Sequence, residues 1–135
     1  MSDPTPPPQH LQKSEWAKFI TGFGHAFRGL RYTLHTQRNA RVHIAIAILA
    51  ILLSIVLHIS TVEFAIVFVA ITGVFIAEMF NTVFEICVNQ ASPDYNPLAK
   101  IAKDVAAGAV LLNAILSIVI GLLVFVPHLW GIFKR

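Results

Sequence analysis

Two glutamates and an asparagine, Glu78, Asn81 and Glu85, stand inside an apolar stretch from Phe64 to Val88. That stretch is long enough to cross a bilayer, where carboxylates are rare and mark ion paths, proton relays or substrate sites. On an α-helix the offsets of three and seven residues bring the three side chains within roughly 60° of one another, a single polar stripe. Two acids and an amide aimed one way can hold a cation or accept a proton from a hydroxyl. The competing reading puts them at the end of the span, in headgroup water.

A second set lies one short connection away. Lys100, Lys103 and Asp104 follow the turn-forming run Ser92-Pro-Asp-Tyr-Asn-Pro97. Lysines can neutralise phosphate oxygens, carboxylates can hold Mg²⁺, and one carboxylate can deprotonate an alcohol, the three tasks of phosphoryl transfer. Lys103 and Asp104 also fit a snorkelling pair at a helix start. The chain has no Walker lysine loop, kinase-type glycine loop or zinc spacing.

The elements that must position these residues are membrane helices. Of 135 residues, 56% are hydrophobic and 13% charged, with a mean hydropathy of +0.72, which excludes an ordinary soluble domain. Apolar blocks at 42–59, 64–88 and 105–126 each reach or approach span length. A tight hairpin, His58 to Glu63, joins the first two, and the polar segment Asn89 to Lys100 joins the second to the third. Eight of the ten Lys and Arg residues precede the first span or flank the second connection. The positive-inside bias therefore puts the N-terminus and that connection in the cytoplasm and the C-terminus outside. The net charge of +3 is a collar at the membrane boundary, suited to anionic lipid heads and not to nucleic acid.

Residues 1–13, with four prolines in Pro4-Thr-Pro-Pro-Pro8, read as a disordered tail without the apolar core of a signal peptide. Residues 14–135 read as one membrane domain. Ser14 is a candidate N-cap, and Trp16, Phe19, Ile20, Phe23, Phe27, Leu30 and Leu34 recur at helical spacing over 14–36. The stripe fits a helix lying on the inner leaflet or one packed against the bundle. Cys87 has no second cysteine with which to form a disulfide or a metal motif.

Glu78-Met-Phe-Asn-Thr-Val-Phe-Glu85 and the run from Ser92 through Lys100, Lys103 and Asp104 to Ala109 strongly resemble the small bacterial diacylglycerol kinase and undecaprenol kinase family. The resemblance extends from about Gly22 to Val126, and includes Gly24, Gly29 and Arg31 on the first helix and Arg38-Asn-Ala-Arg-Val-His43. It implies an all-α fold, a surface helix plus three transmembrane helices, in a homotrimer with active sites shared between subunits at the cytoplasmic face of the bacterial inner membrane. It also implies Mg²⁺ and ATP, with a membrane lipid alcohol as acceptor. Carried over by position, Glu78 resembles the general base, Asn81 an orienting amide and Glu85 a Mg²⁺ ligand beside the nucleotide. Lys103 and Asp104 resemble nucleotide contacts, Asp94 and Tyr95 the loop that closes over it, and Arg31 a surface-helix position near the site. The run 92–109 is closer to the undecaprenol branch than to the diacylglycerol branch.

Three positions depart from the pattern. Gln37 stands where a metal-binding glutamate is common, Asn89 where an aspartate is usual, and Asn96 where a histidine is common. An amide keeps an oxygen ligand but drops the charge. These amides admit a second class of function, a catalytically weakened relative retained for assembly or lipid binding.

Overall fold

The computed structural model describes residues 14–134, all of whose regular structure is helical: α1 (Glu15–Thr36), α2 (Arg38–Val56), α3 (Thr61–Ala91) and α4 (Pro97–Phe133). The proline-rich segment lies outside the described residues. The chain divides into two compact units, the first ending at Tyr32 and the second beginning at Thr33.

The first unit holds most of α1. The Ser14 hydroxyl accepts from the Ala17 amide at 3.2 Å, the N-cap contact that its position suggested. Glu15 and Lys18 pair at 2.7 Å on the solvent side, a contact worth little at such exposure. Trp16, Phe19 and Phe23 form an edge-to-face ladder with centroid separations of 6.3 and 5.0 Å. These rings and the side chains of Ile20 and Phe27 are exposed within the unit, as an apolar helix face is before it meets lipid or protein.

In the second unit, α3 is the central element; it packs along α4 and over a shorter stretch against α2. All three helices are long and apolar enough to cross a membrane. Small and branched residues at helical spacing make the seam: Val67, Ala70 and Val74 of α3 are buried, with Ala40 and Ala47 of α2 and Val110 and Val124 of α4. Lipid is as apolar as leucine, so such a seam is held by close packing and interhelical polar contacts. One is explicit: the Ser117 hydroxyl on α4 reaches the Ala70 carbonyl on α3 at 3.2 Å.

The helix ends explain the connections. His58 adopts φ 50°, the left-handed conformation that reverses the chain after α2. Ser60 then caps α3 in a reciprocal box: its amide donates to Glu63 Oε2 at 2.8 Å and its Oγ accepts from the Glu63 amide at 3.3 Å. At this end Glu63 also lies 3.7 Å from His128 Nε2 of α4.

Both later helices outrun the apolar blocks of the sequence. With 31 residues, α3 is about 46 Å long against a hydrocarbon core of about 30 Å, so its last turns leave the lipid. α4 begins at Pro97, a residue that reads as a helix breaker but sits at the first helical position, where its missing N–H costs nothing. Asn96 caps it, Oδ1 accepting from the Leu98 amide at 2.9 Å. The helix also continues through Pro127 to Phe133, beyond the apolar block that ends at Val126.

Gly73 sets the α3–α4 spacing near mid-span. A Cβ there would stand 3.0 Å from Asn113 Oδ1 and 3.5 Å from its Nδ2. Gly73→Val is expected to cost about 1–3 kcal/mol by forcing the helices apart, and Gly73→Ala less, because the Asn113 amide can rotate clear. Thermal unfolding in detergent checks this; a valine variant melting with the wild type would show that the helices are not held at this spacing.

Candidate active site

The stripe Val67, Ala70, Val74 continues along the same face of α3 into Glu78, Asn81 and Thr82, all buried. The polar residues singled out by their spacing therefore extend the packing seam itself. Glu78 is 1% exposed, the largest side chain so completely enclosed. Its Oε1 and the Oδ1 of Asn81 are buried and have no hydrogen-bond partner among the described residues. Unpaired buried acceptors are costly, and a pair of them side by side calls for a donor or a cation from outside the chain.

Glu85, two turns on, is half-buried and held from two sides. Gln37 Nε2 donates to its Oε2 at 2.8 Å, and Asn81 Nδ2 lies 3.4 Å from its Oε1. Gln37 is the N-cap residue of α2, with extended backbone and no side-chain cap, because its amide is committed to Glu85 instead. Gln37, Glu85 and Asn81 thus form one hydrogen-bonded group on facing ends of α2 and α3, with Glu78 one turn before Asn81 on the same face. Thr82 fastens the turn between them, its hydroxyl donating to the Glu78 carbonyl at 2.8 Å.

His43 of α2, the last residue of the Arg38-to-His43 run, has its Nε2 3.7 Å from Glu78 Oε1. A cavity of about 280 Å³ opens here, lined by Asn39, Val42, His43, Glu78, Asn81 and four small or aliphatic residues of α4. Deeper in the bundle it adjoins an apolar cavity of about 270 Å³, with which it shares His43 and Ala114.

The phosphate-binding candidates form a second cluster. Asp94, Tyr95, Lys100 and Lys103 line an open cavity of about 500 Å³ at the α3–α4 connection, together with Asn89, Asn96 and neighbouring loop residues. Lys103 Nζ donates to Asn89 Oδ1, so the amide at that position still supplies an acceptor for the lysine. Asn96, by contrast, is occupied as the α4 cap. Asp104 is exposed on α4 and lines neither cluster's cavity, and Arg31 lies on α1 in the first unit.

Among the described residues no three His, Cys, Asp or Glu side chains converge on one point, so a dedicated all-protein metal cage is absent. Glu85 and Gln37 offer one carboxylate and one amide, hard oxygen donors of the kind Mg²⁺ takes when phosphates and water complete its shell. The amide would have to turn its oxygen toward the ion, a rotation that costs only its present hydrogen bond. The donor set therefore fits a shared Mg²⁺.

The family model for prokaryotic diacylglycerol kinase matches residues 24–125. A protein of Bacillus subtilis named undecaprenol kinase is 40% identical over 117 residues, spanning 87% of this chain and 95% of its own length. A protein of Synechocystis named diacylglycerol kinase is 36% identical over 123 residues, spanning 88% of this chain and 70% of its own length. With three membrane-length helices carrying the match, this chain belongs to the prokaryotic diacylglycerol kinase family and is a multi-pass membrane lipid kinase with ATP as phosphate donor.

Proposed function

We propose that this chain phosphorylates undecaprenol, with Glu78 as the general base that activates the lipid hydroxyl. One observation carries the reading: an enclosed carboxylate with an unpartnered oxygen lines a cavity among three membrane helices. An alcohol is a poor nucleophile until its proton leaves, and a buried acceptor without a donor is positioned to take it. As the lipid O–H bond breaks, the oxygen bonds to the γ-phosphorus, and the bond from that phosphorus to the bridging oxygen of ADP breaks. The unpartnered Asn81 Oδ1, beside Glu78, orients the same hydroxyl.

Lys103 and Lys100 neutralise phosphate oxygens, Asp94 and Tyr95 close over the nucleotide, and Asp104 is a further nucleotide contact on resemblance alone. Glu85 and Gln37 hold Mg²⁺, which when bound offsets charge on the phosphates. The undecaprenol preference rests on the run 92–109 and on the printed name of the Bacillus relative. Diacylglycerol is the second reading, favoured by the name of the Synechocystis relative.

The assembly we infer is a homotrimer with shared sites. Two features support it: many large apolar residues of the spans are exposed on the single chain, and the cavities at Glu78 and at Lys103 share no lining residue. We place the N-terminus and the α3–α4 connection in the cytoplasm of a bacterial inner membrane and the C-terminus outside, on the distribution of Lys and Arg. The first helix, 14–36, belongs to the same kinase domain as the spans and lies on the inner leaflet through its aromatic face.

Labelled ATP offered to the purified protein with undecaprenol and diacylglycerol in parallel micelles is expected to label undecaprenol; label in diacylglycerol alone assigns the other substrate, and label in neither favours the non-catalytic relative. Glu78→Gln should lower turnover by about 10²–10⁴-fold with the oligomer intact, the range for removal of a general base. Full activity of that variant would remove Glu78 from the chemistry. Gln37→Glu should lower the Mg²⁺ concentration needed for half-maximal rate, since it restores a charged ligand; an unchanged titration would take Gln37 out of the metal site.

A further inference from the structure

A base sealed inside a membrane bundle faces a second problem after it has taken a proton, which is to lose it again before the next turnover. Glu78 is 1% exposed, so bulk water cannot reach it directly. Lys103, Asp104 and the other charged groups of the α3–α4 connection line no part of its cavity. The cavity has two titratable side chains, Glu78 itself and His43.

His43 Nε2 stands 3.7 Å from Glu78 Oε1, the oxygen that has no hydrogen-bond partner. That is slightly long for a hydrogen bond, and a small χ rotation of either side chain closes it; catalytic contacts are commonly long before substrate binds. The imidazole is 19% exposed at its side chain and lines both the Glu78 cavity and the adjoining apolar one. It therefore stands beside the sealed carboxylate while part of its own surface stays exposed. The environment isolates the pair. From α3 the facing groups are Glu78 and the neutral Asn81, with Glu85 two turns beyond and engaged by Gln37. From α4 they are Ala107, Val110, Leu111 and Ala114, none of which titrates. On α2 itself Asn39 is neutral, and Arg38 and Arg41 are exposed and line neither cavity.

We propose that His43 is the positioning residue of the catalytic base and its proton outlet. In the neutral imidazole with its proton on Nδ1, Nε2 carries the lone pair directed at Glu78. The lipid hydroxyl proton passes to Glu78 as the O–P bond forms and ADP departs with the electrons of the cleaved P–O bond. The Glu78 O–H bond then breaks and Nε2 takes the proton to give an imidazolium; water takes the Nδ1 proton, leaving carboxylate and the Nε2–H imidazole, and proton exchange with water, lost at Nε2 and regained at Nδ1, returns the starting tautomer. Protons balance at each transfer, and no further reactant enters.

The inference rests on Glu78 being the base, and the experiment separates the two. Steady-state rates of the full-length protein on undecaprenol and ATP are measured from about pH 5 to pH 9 for the wild type, His43→Gln, His43→Ala and Glu78→Gln, with oligomer size and melting recorded for each. The wild type should show kcat falling on the acid side of this range, because an imidazolium cannot accept the Glu78 proton. His43→Gln should lower kcat about tenfold to a hundredfold, leave KM for ATP and lipid within about twofold, and lose that acid limb. His43→Ala should recover activity when free imidazole is added, in proportion to its neutral form. Wild-type kcat independent of pH across that range overturns the proposal whatever the variants do. So does a His43 variant that loses activity with its acid limb intact and no response to imidazole, which would be a packing role. If Glu78→Gln is inactive while His43→Gln turns over normally, the outlet is refuted and the base stands; if Glu78→Gln is active, both fall.

Discussion

A carboxylate enclosed between membrane helices is the constraint around which the rest of this protein is arranged. Moving an ionised group out of water without a partner costs several kcal/mol even after relaxation, so the fold must hold Glu78 where something compensates it. Compensation comes from one direction only. Asn81 turns its donor to Glu85 and leaves its oxygen on the cavity, and His43 approaches Glu78 from α2. Ala40 and Ala47, buried on either side of His43 along α2, let that helix come close enough to α3 for the imidazole to reach. The seam of α3 is accordingly made of small residues up to Val74 and of polar ones beyond it, a division that matches packing below and chemistry above.

The length of α3 converts that local arrangement into a longer one. From Glu78 to Glu85 the axis rises about 10 Å, and to Asn89 about 16 Å. The stripe thus runs from a sealed carboxylate, through a half-buried one, to an exposed amide that accepts from Lys103 of α4. A rigid helix fixes those spacings without any loop. It places an enclosed carboxylate and a lysine of the α3–α4 connection at different depths along the bundle.

What sequence could reveal follows the same division between local and long-range information. Hydropathy and helical offset are local, so the three spans and the common face of Glu78, Asn81 and Glu85 were visible without coordinates. Helix ends were less so: Pro97 and Asn96 look like a turn in isolation, and only the direction of the chain after them makes them N1 and N-cap of α4. The pairs that assemble the site were out of reach of hydropathy and offset, and only resemblance placed Gln37 and Glu85 at one metal. Gln37 and Glu85 are separated by 48 positions, and no periodicity links them. His43 looks, in sequence, like one polar interruption of an apolar block, and its partner becomes evident only when α2 is laid against α3. Family resemblance supplied roles for Gln37, Lys103 and Asp104, but not the separation of the Lys103 cavity from the Glu78 cavity.

The departure at Gln37 has a physical consequence of its own. Two carboxylates at positions 37 and 85 would repel at hydrogen-bonding distance, and the pair would be stable only with a cation or a shared proton between them. With an amide at 37 the Glu85 charge is met by a neutral donor, and the group is satisfied without any ion. An amide at 37 therefore satisfies Glu85 where a second carboxylate would call for a cation or a shared proton. In a chain whose Glu78 already imposes one uncompensated acceptor, easing the second carboxylate lowers the strain of the resting protein. Were Glu85 and Gln37 to hold Mg²⁺, the amide would first have to give up its hydrogen bond to Glu85 and turn its oxygen to the ion.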